Sequence, residues 1–128
     1  MVKRKSELLV ITEVKRLIDY VFVISEKSPK KYRYSFLSKI HNLLFDIIEL
    51  LYEANSIRLG NDERLNKQKL VKIKLEIVDY LCDLGTREKC FLFSQYENIS
   101  KYICECMKLL NGWIDSDNKR IIKVNNNV

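Results

Sequence analysis

A chain of 128 residues with 47% hydrophobic composition is long enough for one domain with its own core and too short for two. Three glycines and one proline fall far below ordinary usage of about 7% and 5%, which argues against turn-rich β architectures and for long helices. The 23 Lys+Arg against 17 Asp+Glu, a formal charge of +6, suit anionic partners without establishing one.

Residues 1–5 read as a flexible basic lead-in (Lys3, Arg4, Lys5), after which Ser6 can cap a first helix and Glu7 favours its positive end. Val10, Val14, Leu17, Val21 and Ile24 repeat at four-three spacing, widened by Ile11, Ile18 and Phe22, and predict a helix over 6–26. Ser28-Pro29 breaks it, because proline fixes its own φ and disfavours helix in the residue before it. A second helix follows over 32–55. Its columns Phe36/Leu43/Leu50, Leu37/Leu44/Leu51 and Ile40/Ile47/Ala54 are wholly apolar. Tyr34/His41/Ile48/Asn55 and Ser38/Phe45/Tyr52 are mixed. Together these columns sweep roughly 200°, about twice the arc of a one-sided surface helix. So wide an arc calls for a second partner, and Tyr34, His41, Phe45 and Tyr52 are the candidates for an interface between subunits.

Gly60 suits a left-handed residue in the next connection, and Asp62 an N-cap. A third helix over 62–84 presents Leu70, Ile73, Ile77, Leu81 and Leu84 at helical spacing, and Gly85 is placed to end it. After a connector, Ser94-Gln95-Tyr96-Glu97 fits a capping box that opens a fourth helix over 94–115. That helix sets Tyr96, Ile99, Ile103, Cys106, Leu110 and Trp113 on one seam. Residues 116–128 lack periodicity and read as a disordered tail. Four helices with short connections predict an all-α, up-down-up-down antiparallel bundle spanning 6–115.

Charge is segregated on this scaffold. Lys27, Lys30, Lys31, Arg33 and Lys39 fall in one stretch with no acid between them, at a bundle end shared with Arg87 and Lys89. Tyr32 and Tyr34 interleave with these cations, so base stacking beside phosphate contacts is physically available. The bland reading is a solubilising turn whose tyrosines cap the core. A second cluster, Arg64, Lys67, Lys69, Lys72 and Lys74, opens the third helix but spreads over several faces. No base-reading motif is present, so any binding to RNA or DNA is expected to be weakly sequence-selective.

Catalysis finds little support. The single histidine, His41, sits among Leu37, Leu44, Phe45 and Ile48 and reads as a core or interface residue, with a pH-sensitive contact as the sharper alternative. No second histidine completes a metal site, and no phosphate loop or nucleophile motif occurs. No cofactor or metal is expected. Cys104 and Cys106 lie about 200° apart on a helix, and Cys82 and Cys106 pack as small hydrophobes. The apolar run at 8–11 is too short for a signal peptide or a membrane span, so a cytoplasmic, non-membrane protein is expected. Trp113 reads as a core plug at a bundle end, or else as a partner contact.

Two segments carry a resemblance. The basic turn Pro29-Lys30-Lys31 leads to Phe36-x-x-x-Ile40-x-x-Leu43-Leu44-x-Asp46-Ile47 and a closing Glu53-Ala54-Asn55. Met107-x-x-Leu110-Asn111-Gly112-Trp113-Ile114 stands near the other end. Their order and spacing resemble the bacterial four-helix family that contains Avd, the accessory variability determinant of diversity-generating retroelements. The same family includes proteins encoded in intervening sequences of large-subunit rRNA genes. The similarity runs loosely over residues 8–115. It implies a ring-like homopentamer of four-helix protomers. It also implies a non-enzymatic accessory role, in which the bundle associates with a reverse transcriptase and with template RNA or cDNA during mutagenic copying. The rival is an orphan four-helix interaction module of the intervening-sequence type, with no reverse transcriptase partner.

Overall fold

The computed structural model describes residues 7–126 and consists of helices, with no strand among the described residues. Four α-helices carry the fold: α1 (Leu9–Ser25), α2 (Ser38–Ser56), α3 (Asp62–Arg87) and α4 (Phe93–Asn126). Each packs on its sequence neighbour, and α4 closes back on α1, giving the square antiparallel bundle that short connections favour. The basic lead-in at 1–5 and the cap expected from Ser6 lie outside the described residues.

The core is a stack of aliphatic layers. Val14, Leu17 and Val21 of α1 meet Ile40, Leu44, Ile47 and Leu51 of α2, Leu75 and Val78 of α3, and Ile99, Cys106 and Leu110 of α4, all fully enclosed. Their four-three spacing is the physical reason these segments are helices, since only that period places every one of them on a single face.

Three features of α3 depart from the sequence reading. Its core face is Val71, Leu75, Val78 and Cys82, one position away from the expected stripe. Leu70, Ile73 and Ile77 are therefore exposed, while Leu81 and Leu84 are half-buried. Its N-cap is Asn61, whose Oδ1 accepts the Glu63 amide at 2.9 Å, leaving Asp62 and Glu63 in the first turn where negative charge is favourable. Gly85 does not end the helix. A Cβ there would come within 3.1 Å of the buried Phe91 ring, so glycine is where the helix lets the connector fold back against it. The helix runs on to Arg87, and past its Glu88 cap Lys89 takes the left-handed region (φ 66°). The Cys90 amide then donates to the Gly85 carbonyl and the Lys89 amide to the Thr86 carbonyl, a Schellman ending.

The start and end of α4 also differ from expectation. Gln95 Oε1 accepts the Leu92 amide at 2.8 Å, so the reaching-back residue is Gln95 rather than Glu97. The helix does not stop near 115. It runs to Asn126, and Asp117, inside the expected tail, is buried. No helix among the described residues is long and apolar enough to cross a membrane.

Candidate nucleic-acid interface

The first cationic cluster stands on an irregular entry to α2. Pro29 is extended, a 3-10 turn covers Lys30–Tyr32, and a π turn covers Arg33–Leu37, where the Ser38 amide reaches back five residues to the Arg33 carbonyl. Such wide turns recur at functional sites. The loop is pinned from below: the Tyr32 hydroxyl donates to the Glu88 carbonyl in the α3–α4 connection, and its ring packs 5.6 Å from Phe36. Both turns thereby meet at one end of the bundle, as the antiparallel topology requires.

Lys27, Lys30, Lys31, Arg33 and Lys39 are all exposed there, and none has an ion-pair partner among the described residues. Lys89 is exposed on the neighbouring connection, whereas Arg87 is held 3.4 Å from Asp83. The two tyrosines divide their work. Tyr32 is half-buried, carries Lys31 Nζ 5.0 Å above its ring, and spends its hydroxyl on the fold. Tyr34, on the π turn, is 90% exposed and is the ring open to a stacked base.

The second cluster is largely consumed inside the protein. Arg64 is buried and leaves the set of available cations. Its Nε and Nη2 donate to the Asp117 carboxylate at 2.7 and 2.9 Å, and its Nη1 donates to the Ile57 carbonyl at 3.0 Å. Gln68 Nε2 completes the shell of Asp117 at 2.9 Å, and Trp113 stacks on the guanidinium at 5.1 Å. Lys67 lies 2.8 Å from Glu53, which raises the lysine pKa, and Lys74 lies 3.5 Å from Asp46. Lys69 and Lys72 alone of the five are exposed and unpaired among the described residues.

The four interface candidates separate as well. Tyr34 belongs to the cationic end. His41, Phe45 and Tyr52 flank the seam between α1 and α2, where Phe22 stacks on His41 at 4.2 Å and approaches Phe45 at 5.7 Å. Ser25 Oγ lies 2.6 Å from the Val21 carbonyl and 3.0 Å from His41 Nε2. With its single proton given to that carbonyl, the serine accepts from Nε2–H, which fixes the tautomer. Burial lowers the His41 pKa, so the ring is favoured neutral. Tyr52 donates to the Glu7 carboxylate at 3.1 Å, which Thr12 and Lys15 also hold.

Sequence reasoning missed the cations at the far end of α4: Lys119, Arg120 and Lys123 are helical and exposed. A signal was present. The seam Cys106, Leu110, Trp113 continues at the same spacing through 117, 121 and 124, but an aspartate at 117 interrupts the apolar pattern. Among the described residues no cluster of His, Cys, Asp and Glu is arranged to hold a metal ion. The Cys82 and Cys106 thiols are buried with raised pKa values, Cys106 to about 12, through desolvation first and nearby carboxylates second.

Residues 8–116 match the family model described as bAvd-like. No curated protein matches the chain.

Proposed function

This chain belongs to the bAvd-like family, and we propose that it acts as a non-enzymatic accessory protein of a diversity-generating retroelement. In this reading it self-assembles into a ring-like homopentamer. It holds template RNA or cDNA on the cationic end of the bundle and works beside a reverse transcriptase. The observation that carries nucleic-acid binding is the five exposed cations from Lys27 to Lys39, unpaired among the described residues, around the open ring of Tyr34. Phosphate contacts from lysine and arginine supply sequence-independent affinity, and an exposed aromatic ring accepts any base. Neither demands a base-reading element, which fits an accessory that positions a template without selecting its sequence.

The test is a Lys30→Glu, Lys31→Glu, Arg33→Glu triple variant, titrated with single-stranded RNA at two salt concentrations beside circular dichroism of the same samples. Three lost phosphate contacts should lower the slope of log affinity against log salt by about 2, at about 0.7 per contact. Tyr34→Ala should weaken binding by about 1–3 kcal/mol with the slope unchanged, as removal of a stacked base does. Unaltered affinity and slope in a folded triple variant would remove this end from the reading and move attention to Lys69, Lys72 and the end of α4. The retroelement role is tested separately, by asking whether a reverse transcriptase gene neighbours this one and, where it does, by co-expressing the two proteins. Absence of a neighbouring reverse transcriptase gene, with the chain set inside an rRNA gene, would favour the orphan interaction module.

A further inference from the structure

Lys89 is the one residue other than glycine with a positive φ among the described residues. A side chain is crowded in that conformation, so the residue that turns the chain back after a helix is commonly glycine. This chain keeps a lysine there. Nothing inside the fold uses its charge: the side chain is exposed and has no ion-pair partner among the described residues.

The backbone around Lys89 is fixed from both directions. Its own amide donates to the Thr86 carbonyl at 3.0 Å, and the Cys90 amide donates to the Gly85 carbonyl at 2.7 Å. Its two sequence neighbours both meet the α1–α2 connection. The Glu88 carbonyl accepts the Tyr32 hydroxyl, and the Ser28 side chain stands beside the buried Cys90 thiol. Residues 28 and 32 bracket Lys30 and Lys31, just as 88 and 90 bracket Lys89. These contacts hold all three lysines at adjoining points on one end of the bundle.

The acids of this end do not cancel that charge. Asp83 is taken by Arg87 at 3.4 Å. Glu26, Glu88 and, a turn into α4, Glu97 are exposed and unpaired among the described residues. Lys89 together with Lys27, Lys30, Lys31, Arg33 and Lys39 outnumbers them.

We propose that Lys89 is a further phosphate contact of the cationic end, so that single-stranded nucleic acid is held from both connections at once. The proposal rests on the nucleic-acid reading above and adds the α3–α4 connection to that surface. A lysine on a loose loop loses backbone and side-chain freedom when it grips a phosphate. Here the backbone is already set, and only the side chain has to order. A disfavoured backbone of this kind persists where the surrounding structure over-determines it, and such residues cluster at ligand clamps.

The experiment titrates single-stranded RNA against the full chain and its Lys89 variants at about 50 and about 200 mM salt, with circular dichroism of each sample. Lys89→Gly should stay folded yet lose one contact. Its slope of log affinity against log salt should fall by about 0.7, so its deficit from wild type should shrink about threefold between the two salt concentrations. Lys89→Asn, which tolerates the same backbone, should lose as much, and Lys89→Arg should keep the wild-type slope. Weaker binding by Lys89→Gly with an unchanged slope would mark a purely structural role and overturn the proposal. Wild-type affinity and slope in both Lys89→Gly and Lys89→Asn would do the same. The Lys30→Glu, Lys31→Glu, Arg33→Glu variant separates this proposal from the reading beneath it. If that variant loses binding while Lys89→Gly does not, Lys89 leaves the surface and the surface stands. If Lys89→Gly loses a contact while the triple variant binds as wild type does, the lysine serves another site and the shared surface is gone.

Discussion

Arg64 and Asp117 form the most consequential side-chain pair in the protein, because both are buried and the carboxylate accepts hydrogen bonds from Arg64 Nε, Arg64 Nη2 and Gln68 Nε2. Removing one partner strands the other charge in the interior. Asp117→Ala should therefore cost about 3–5 kcal/mol in urea unfolding, while replacing both members with leucine should cost far less. Acid should reach the same pair. Burial pushes the Asp117 carboxyl up, but hydrogen bonds from Arg64 and Gln68 outweigh it and hold the pKa below its ordinary 3.8. A pKa lowered by folding contributes stability that is full above the unfolded value and lost as pH falls through the folded one. His41 acts earlier by the same logic: burial depresses its pKa below 6.5, so the unfolded chain takes the proton first and stability declines as pH drops below about 6.5. Urea midpoints measured from about pH 8 to about pH 3 should fall in two stages. His41→Asn should remove the first stage, and a single unaltered decline in that variant would contradict the assignment.

At the scale of elements, α4 separates a helix from a tail. If 116–128 were a tail, any truncation there would be neutral. The structure instead fastens α4 to α3 at Asp117, with Ile121 half-buried one turn further on. A chain ending at Ile121 should keep its stability within about 1 kcal/mol, whereas one ending at Ser116 should lose about 3–5 kcal/mol by stranding Arg64. Denaturation of the two truncations decides it, and equal stabilities would return the segment to the status of a tail. The end of α3 offers an independent check. Lys89 holds a left-handed backbone that costs a side-chain-bearing residue about 1–2 kcal/mol, so Lys89→Gly should gain up to about 1 kcal/mol in thermal or chemical unfolding. A loss would mean that the lysine side chain stabilises the turn in a way its backbone conformation conceals.

For the whole molecule, charge and apolar surface have different places. Free cations gather where the α1–α2 and α3–α4 connections meet, and uncovered hydrophobic surface runs along the sides, on α3 and on the α1–α2 seam. The proposed self-association would couple to folding by mass action, so the melting temperature should rise with protein concentration. A concentration-independent melt in the wild-type chain would count against assembly.

Much of this was legible in the residues alone. The four-three spacing of Val10 to Ile24, of Ile40 to Ala54 and of Ile99 to Leu110 determined three helices and their buried faces, because only a helical period brings those side chains together. Pro29 and Gly60 marked their turns for stereochemical reasons that need no tertiary contact. What tertiary structure decided was which of two plausible faces of α3 turns inward. Leu70, Ile73 and Ile77 are as apolar as Val71, Leu75 and Val78, and a single helix carries no information on which stripe its neighbours fill. It also decided which cations remain free. Arg64 and Arg33 are indistinguishable in sequence, yet one lies against a carboxylate 53 positions away and the other faces solvent. That distinction rests on Asp117 arriving beside α3, and no local pattern encodes a contact between residues so far apart.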